Sequence, residues 1–220
     1  MKKTVKIMML VVFVATSTGS FAQKFGLKGG LNLSNMLEKD DDDTYSDDYE
    51  MNPGYHVGVT AEYPISDMLS FETGLLLSTK GFKLSEEEDG DKAELKLNLL
   101  YLDLPLTAKA TFDFGVAKFY GLFGPYLGVG LSGKSKFEVT FSGETESDEE
   151  DVEWGSDEDE DDLKRLDYGL AMGAGVEINS VRIGLTYNLG LANISPYSDD
   201  GFKMNNRVIG ISVGYTFGGE

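Results

Sequence analysis

Apolar residues recur at every second position through most of the chain, and this alternation restricts the fold more than any other feature. Within residues 181–190, Val181, Ile183, Leu185, Tyr187 and Leu189 alternate with Arg182, Gly184, Thr186, Asn188 and Gly190. A period of two predicts β-strands with one apolar face. The pattern predicts eight strands, at residues 24–34, 55–63, 69–78, 95–112, 118–141, 167–177, 181–190 and 209–217.

The second face of each strand distinguishes two kinds of barrel. It consists mostly of glycine, serine, threonine and asparagine, with few charges. A soluble, secreted, lipocalin-like barrel holding a small apolar ligand would expose a polar face rich in lysine and glutamate. Small residues instead suit the crowded lumen of a narrow membrane barrel. We therefore predict an all-β fold, an eight-stranded antiparallel up-and-down transmembrane β-barrel, and keep the soluble barrel as the alternative.

The connections between the predicted strands alternate in length. Residues 64–67, 113–116 and 179–180 are tight turns, whereas residues 192–206 and three acidic runs are long and polar. Transmembrane barrels have short periplasmic turns and long extracellular loops. The alternation therefore predicts turns in the periplasm, acidic loops outside the cell, and both termini on the periplasmic side.

The N-terminus has the features of a secretion signal. Lys2, Lys3 and Lys6 precede an apolar run at residues 7–15, and small residues end at Ala22. The run is shorter than the roughly 20 residues of a membrane-spanning helix. We predict a signal peptide at residues 1–22, a barrel domain at residues 23–220, and export to the cell outer membrane.

Acidic residues outnumber basic residues by 38 to 19, and 26 of the 38 lie at residues 38–50, 86–91 and 144–162. Runs of like charge repel and remain solvated, so we expect three projecting loops rather than packed elements. An acidic chain does not bind nucleic acid, and a chain without cysteine has no disulfide or thiolate metal site. Trp154, the single tryptophan, lies in the longest run, where it is either an exposed contact residue or a cover for the barrel mouth.

Two sets of charged residues are candidate sites. The acidic loops offer oxygen ligands for divalent cations, although without the spacing of a calcium hand, so a cation-dependent adhesin is a further alternative; these candidates are Asp40, Asp41, Asp42, Asp43, Asp157, Asp159 and Asp161. The strand phases also predict charges facing the lumen, which we expect to form a salt-bridge network; they are Lys28, Glu62, Glu72, Asp103, Lys109, Glu177 and Arg182.

Catalysis has little support in the sequence. His56 is the single histidine, with Ser34 and Thr60 as its nearest expected hydroxyl groups, and no nucleophile elbow accompanies it. Phosphate loops, zinc signatures and cofactor fingerprints do not occur. We predict no enzymatic role and no cofactor.

Residues 95–112 have leucines on both faces. Leu95, Leu97 and Leu99 share a face with Tyr101, whereas residues 100, 102, 104 and 106 are leucines on the other face. A bulge near Leu99 and Leu100 would turn both sets outward, and we expect one there. Because proline cannot donate to a β-ladder, we also expect Pro105 and Pro125 at a bulge or a strand end.

Several short motifs resemble one family. They are Phe25-Gly26-Leu27-Lys28-Gly29-Gly30-Leu31-Asn32, Tyr101-Leu102-Asp103-Leu104-Pro105, Phe123-Gly124-Pro125-Tyr126, and Gly210 to Phe217. Their order resembles the PorT-like small outer-membrane β-barrel proteins of Bacteroidetes, across nearly the whole of residues 23–220. The resemblance implies that five residues belong to motifs of this family: Tyr101, Asp103, Pro105, Gly124 and Pro125. Barrels of this kind usually end on the terminal aromatic, whereas Gly218-Gly219-Glu220 follows Phe217 here.

We predict a structural, adhesive or secretion-accessory function carried by the acidic loops; the resemblance implies that one member of the family assists a protein-secretion system. The expected partners are outer-membrane lipid and the barrel-assembly machinery, together with divalent cations or other envelope proteins. We expect a monomer.

Overall fold

A computed structural model describes residues 23–88, 91–141 and 144–218. The predicted signal peptide lies outside the described residues. Nine strands are present in the part described: β1 (Lys24–Lys39), β2 (Asn52–Pro64), β3 (Leu69–Glu88), β4 (Asp91–Asp113), β5 (Lys118–Phe141), β6 (Glu144–Asp151), β7 (Leu166–Ile178), β8 (Val181–Gly190) and β9 (Lys203–Phe217). Two short 3-10 helices, Tyr45–Asp48 and Asp199–Gly201, lie in the connections. No helix among these residues is long and apolar enough to cross a membrane.

Eight of the nine strands close into a ring. Each pairs antiparallel with its neighbours in the order β1-β2-β3-β4-β5-β7-β8-β9, and β9 pairs back onto β1 from Phe25↔Phe217 to Lys39↔Lys203. The ninth strand, β6, pairs with the end of β5 and lies outside the ring. The prediction of an eight-stranded, up-and-down antiparallel barrel is confirmed.

The two ends of the ring differ. At the turn end, β2–β3, β4–β5 and β7–β8 are joined by the predicted tight turns, with Asn179 at φ 53° and Gly115 at φ 89°. Asparagine and glycine tolerate this left-handed conformation better than other residues. Both termini of the ring are also at the turn end. At the loop end, β3, β4 and β5 extend beyond the ring, and the longer connections 40–51, 152–165 and 191–202 lie here.

The barrel wall is apolar outside and polar inside. Large side chains on the outer face are about half exposed, for example Leu27 at 54%, Val57 at 50% and Ile183 at 57%. The inner face of the same strands holds Asn32, His56, Glu72, Lys109 and Ser212, all buried. A soluble barrel requires the opposite arrangement, because its outer face meets water. This orientation rejects the lipocalin-like alternative.

Parts of two acidic runs form strands, whereas we had expected projecting loops. Residues 86–88 continue β3, Asp91 begins β4, and residues 144–151 form β6. Lysines on the facing strands offset the repulsion, because Glu87 is opposite Lys92 and Lys136 is opposite Glu149. Like charges repel within each run, but strand formation also depends on the residues opposite on the neighbouring strand. Here the cross-strand pairs of opposite charge allow strands to form.

The expectation for the β4 leucines is also wrong. Leu99 points into the barrel and is 1% exposed, on the same face as Tyr101. The register shift lies at the predicted level but on the partner strand: Leu100 pairs with Ser132 and Tyr101 with Gly130, which leaves an extra residue, Leu131, on β5. The bulge therefore turns β5 and leaves the phase of β4 unchanged.

Pro105 and Pro125 lie neither at a bulge nor at a strand end. Both are inside long strands, and the β4–β5 pairing is interrupted between Pro105↔Tyr126 and Ala108↔Phe123 without a change of register. Pro125 falls opposite Leu106 within this interruption. Pro105 falls within a second interruption, between Thr73↔Leu106 and Leu76↔Asp103 in the β3–β4 pairing, so each missing donor coincides with its own gap.

A charge on the outer wall should be costly. We expect Val57→Lys, at the middle of β2, to lower the free energy of unfolding by about 2–4 kcal/mol, because lysine at this depth must leave water for hydrocarbon. Urea unfolding in lipid vesicles, followed by Trp154 fluorescence, measures the change. Ser156→Lys adds the same charge on the exposed 152–165 connection and should change stability by less than about 0.5 kcal/mol. Equal effects of both substitutions would contradict the membrane orientation of the wall.

Candidate functional site

A network of ion pairs fills the lumen near the turn end. Arg182 of β8 donates from Nη1 to Glu72 Oε2 at 2.9 Å, from Nε to Glu177 Oε2 at 2.8 Å, and from Nη2 to Glu62. Lys109 of β4 lies 2.9 Å from Glu62 Oε2 and 3.5 Å from Glu177 Oε2. Two cations thus share three carboxylates from three other strands, and every member of the network contacts at least one group of opposite charge inside the bore.

The remaining two residues of the predicted lumen set lie elsewhere. Lys28 lines small cavities next to Glu72 but forms no ion pair in the described part of the chain. Asp103 belongs to a second cluster, centred on Lys80, further toward the loop end. The structure therefore divides the predicted network into two clusters.

Lys80 is the centre of the second cluster and is 1% exposed. Its Nζ lies 2.9 Å from both Asp103 Oδ1 and Asp167 Oδ2, and 4.5 Å and 4.7 Å from the ring centroids of Tyr101 and Tyr126. Asp167 Oδ2 also accepts from Tyr126 Oη at 3.2 Å and Asn206 Nδ2 at 3.0 Å. The ammonium group is enclosed by carboxylates and aromatic faces, which substitute for water.

Sequence reasoning missed Lys80 and Asp167, although the signal was present. Both continue the alternation of the inner face, Lys80 after Glu72 and Ser78 on β3, and Asp167 before Gly169 on β7. The predicted strand at residues 69–78 stopped two residues short of Lys80, and the phase assigned to β7 already placed Asp167 inward.

His56 lies between the two clusters, beside a cavity of about 50 Å³. Its Nδ1 is 2.7 Å from Asn32 Oδ1 and its Nε2 is 3.0 Å from Ser212 Oγ, whereas Ser34 bonds to the carbonyl of Asn52. Serine, histidine and asparagine in this order resemble the parts of a nucleophilic triad. The cavity has room only for a few water molecules, and both ring nitrogens of His56 contact lumen side chains, so His56 helps to order the lumen.

An apolar cap closes the lumen at the loop end. Its buried core is Met36, Phe82, Leu99, Tyr101, Val152, Leu163, Ala192 and Ile194. Trp154 packs against this core, with its ring edge on to Tyr101 at 5.7 Å and 84° and the Arg165 guanidinium 5.7 Å from its ring. The structure thus supports one of the two alternatives for Trp154: the side chain covers the barrel mouth.

Three of the seven candidate metal ligands in the loops, Asp40, Asp157 and Asp161, accept hydrogen bonds within local turns. Asp40 accepts from the backbone amides of Asp42 and Asp43, and the hydroxyl of Tyr45 donates to it at 2.5 Å, which lowers the pKa of Asp40 and raises that of Tyr45 to about 12. Asp161 accepts from the amide of Asp157, and Asp157 from that of Asp159. In the described residues, no group of three or more acidic or histidine side chains is placed to hold a metal ion.

The extended strands at the loop end also have an ordered charge pattern. Glu94 of β4 lies 2.8 Å from Lys92 Nζ and 3.7 Å from Lys83 Nζ, and also contacts Lys96. Hydrogen bonds from Lys92 and Lys96 lower the pKa of Glu94 to about 2. The face of β3 and β4 that carries Lys83 and Glu94 is therefore stabilised by paired charges.

Comparison with known proteins agrees with a barrel that has a polar lumen and an apolar outer wall. The family model described as "Outer membrane protein beta-barrel domain" matches residues 21–195. The chain belongs to this family. Its members are outer-membrane barrels, so the chain is an integral protein of the outer membrane, surrounded by lipid. No curated protein sequence matches it.

Three solved structures illustrate the similarity of this outer-membrane barrel to others. Ail, the attachment invasion locus protein of Yersinia pestis, is 18% identical over 90% of this chain and 100% of its own, with a TM-score of 0.35. Neisserial surface protein A is 15% identical over 90% and 98%, with a TM-score of 0.41, and the outer membrane protease OmpT of Escherichia coli is 11% identical over 93% and 100%, with a TM-score of 0.35. At these values the similarity carries no argument about function.

The charge of Lys80 should be essential to this outer-membrane barrel. We expect Lys80→Met to destabilise it by about 3 kcal/mol, because two buried carboxylates lose their shared cation. Adding Asp103→Asn and Asp167→Asn to that variant should restore at least half of the loss. Urea unfolding of the refolded protein in vesicles measures both, with Lys203→Met on the exposed start of β9 as the control. A Lys80→Met effect no larger than that of the control would contradict the role of Lys80.

The packing of Trp154 can be tested at Gly130, because a Cβ atom there would clash with the indole ring. We expect Gly130→Ala to displace Trp154, which shifts its emission to longer wavelength and increases acrylamide quenching. Gly121→Ala is the matched control, since the nearest atom to its Cβ would be the Gly173 carbonyl oxygen at 3.8 Å. Unchanged emission from Gly130→Ala would show that Trp154 does not cover the mouth.

Proposed function

We propose that this outer-membrane barrel is a closed anchor whose function lies in the structure at its loop end, displayed on the cell surface. The observation that carries the proposal is the filled lumen. The turn-end ion network, the Lys80 cluster and the apolar cap occupy successive levels of the bore. A barrel filled in this way supports no diffusion path, so a role as a pore is disfavoured.

The loop end, in contrast, is large and accessible. The extensions of β3, β4 and β5 and the whole of β6 form a four-stranded sheet beyond the ring, and all eight residues of β6 are exposed. A protein that needed only a membrane anchor would not require this extension. We therefore place the function in contacts made by this sheet and its neighbouring connections, in a structural, adhesive or secretion-accessory role without catalysis.

We also propose how the chain is exported, how it is oriented in the membrane, and to which subfamily it is related. Residues 1–22 serve as the signal peptide, the turn end faces the periplasm, and the barrel-assembly machinery inserts the chain. The motifs around Tyr101, Pro105 and Pro125 support kinship with the PorT-like barrels of Bacteroidetes. The positive n-region and the apolar run support export by a signal peptide, and the unequal connection lengths support the orientation.

Surface display can be tested with epitope insertions. We expect an epitope inserted after Ser156, in the 152–165 connection, to bind antibody on intact cells. The same epitope inserted after Gly115, in the β4–β5 turn, should be detected only after the outer membrane is permeabilised.

When intact cells are treated with a glutamate-specific protease, we also expect the protein to be cleaved within residues 38–50 or 144–162. The ring should remain associated with the membrane. Detection of the Gly115 epitope, but not the Ser156 epitope, on intact cells would reverse the orientation and overturn the proposal.

A further inference from the structure

The sheet beyond the ring has two faces with different charge balance. Residues directly opposite one another on antiparallel strands share a face, and successive residues alternate between faces. One face continues the outer wall and includes the row Lys83, Lys96, Lys136 and Glu149. The other continues the lumen side and includes the row Leu84, Leu95, Phe137 and Asp148.

The carboxylates of β6 on the outer-wall face are paired. Glu149 accepts from Lys134 Nζ, and Asp151 lies 3.9 Å from the same nitrogen. Lys136 is the next residue of β5 on the same face after Lys134, and it pairs with Glu138 at 3.0 Å. The lysines of β5 thus compensate the acids on this side of the sheet.

The carboxylates of β6 on the lumen-side face are not paired. Glu144, Glu146, Asp148 and Glu150 form no ion pair with any residue that the structure describes. They recur at every second position, so they form a row with a spacing of about 7 Å. Four uncompensated charges of one sign at regular spacing are costly unless they face water or a partner of opposite sign.

Exposed aromatic rings accompany this row. Phe137 of β5 is opposite Asp148 and is 50% exposed, and Phe141 is opposite Glu144 and is 66% exposed. An aromatic face beside a carboxylate is a favourable environment for a guanidinium or ammonium group. The two kinds of side chain therefore favour the same partner chemistry.

The backbone of β6 also has a free edge. In the described chain, β6 pairs with β5 alone and is the last strand of the sheet. The N–H and C=O groups that point away from β5 are therefore available to another strand. A second copy of β6 is a poor partner, because its six acidic residues would face six others.

We propose that the free edge of β6 binds an extended cationic polypeptide segment as an added strand, with arginine or lysine at alternate positions paired to Glu144, Glu146, Asp148 and Glu150. The proposal rests on the proposed surface display of the loop end. It assigns a partner class, a basic extended segment, to the sheet beyond the ring.

The test uses the full-length mature protein, refolded in lipid nanodiscs, and a labelled eight-residue peptide of alternating arginine and threonine. We expect saturable binding, measured by fluorescence anisotropy, and slower amide exchange in residues 144–151. Replacing the lumen-side carboxylates by Glu144→Gln, Glu146→Gln, Asp148→Asn and Glu150→Gln should weaken binding by about tenfold or more, because four cross-strand charge pairs are lost. Aspartates 40–43, changed together to asparagine, remove the same number of charges at the same end and should weaken binding by less than about threefold.

Two control peptides separate strand addition from general attraction between charges. One has the same composition with its arginines clustered, and the other has alternate backbone nitrogens methylated, which removes donors and keeps the charge. Both should bind at least about fivefold more weakly than the alternating peptide. Absence of binding, equal binding of the methylated peptide, or equal weakening by the two sets of substitutions would overturn the proposal. None of these results affects the epitope experiment, so failure of the peptide test and failure of surface display are distinguishable.

Discussion

A ring of eight strands in lipid encloses a bore that side chains fill, and every polar group in that bore must find its partner there. Lipid offers no hydrogen bonds to the wall, so polar residues point inward and apolar residues outward. The inward groups are then too close together to remain hydrated individually. Arg182 with three carboxylates and Lys80 with two aspartates are the result: charges drawn from distant parts of the chain compensate one another across the lumen. The shape of the closed anchor follows from this constraint.

The same constraint explains which parts of the fold the sequence predicts well. Strands such as 181–190 and 209–217 must alternate, because one face meets lipid and the other meets the crowded bore. Eight strands, their order and the tight turns followed from that alternation. Leu99 and the bulge at Leu131 did not, because at the loop end the inner face is no longer polar but packs into the apolar cap. Where both faces are apolar, a period of two has no contrast to reveal the phase.

The candidate site shows a similar division. Glu62, Glu72, Lys109, Glu177 and Arg182 could be assigned to the lumen one strand at a time. Which carboxylate pairs with which cation depends on the register across the whole ring, and no local pattern contains it. Trp154 and Ala192 join the cap from connections whose sequence has no periodicity, so only the folded chain shows that they reach the barrel mouth.

The acidic character of the chain has two physical origins, and the structure separates them. Where an acidic strand faces lysines, as on the Lys83, Lys96 and Lys136 side of the extended sheet, the charges are part of a stable surface, and the low pKa of Glu94 expresses that compensation. Where the row on β6 faces no lysine, the charges are exposed to water, and pairing with the backbone of β5 holds the strand in place. A strand that retains such a row, and leaves its edge open, is stabilised further by any ligand that brings matching positive charge. Charge compensation therefore stabilises the filled lumen, and its local absence distinguishes the lumen-side face of β6 from the outer-wall face of the same strand.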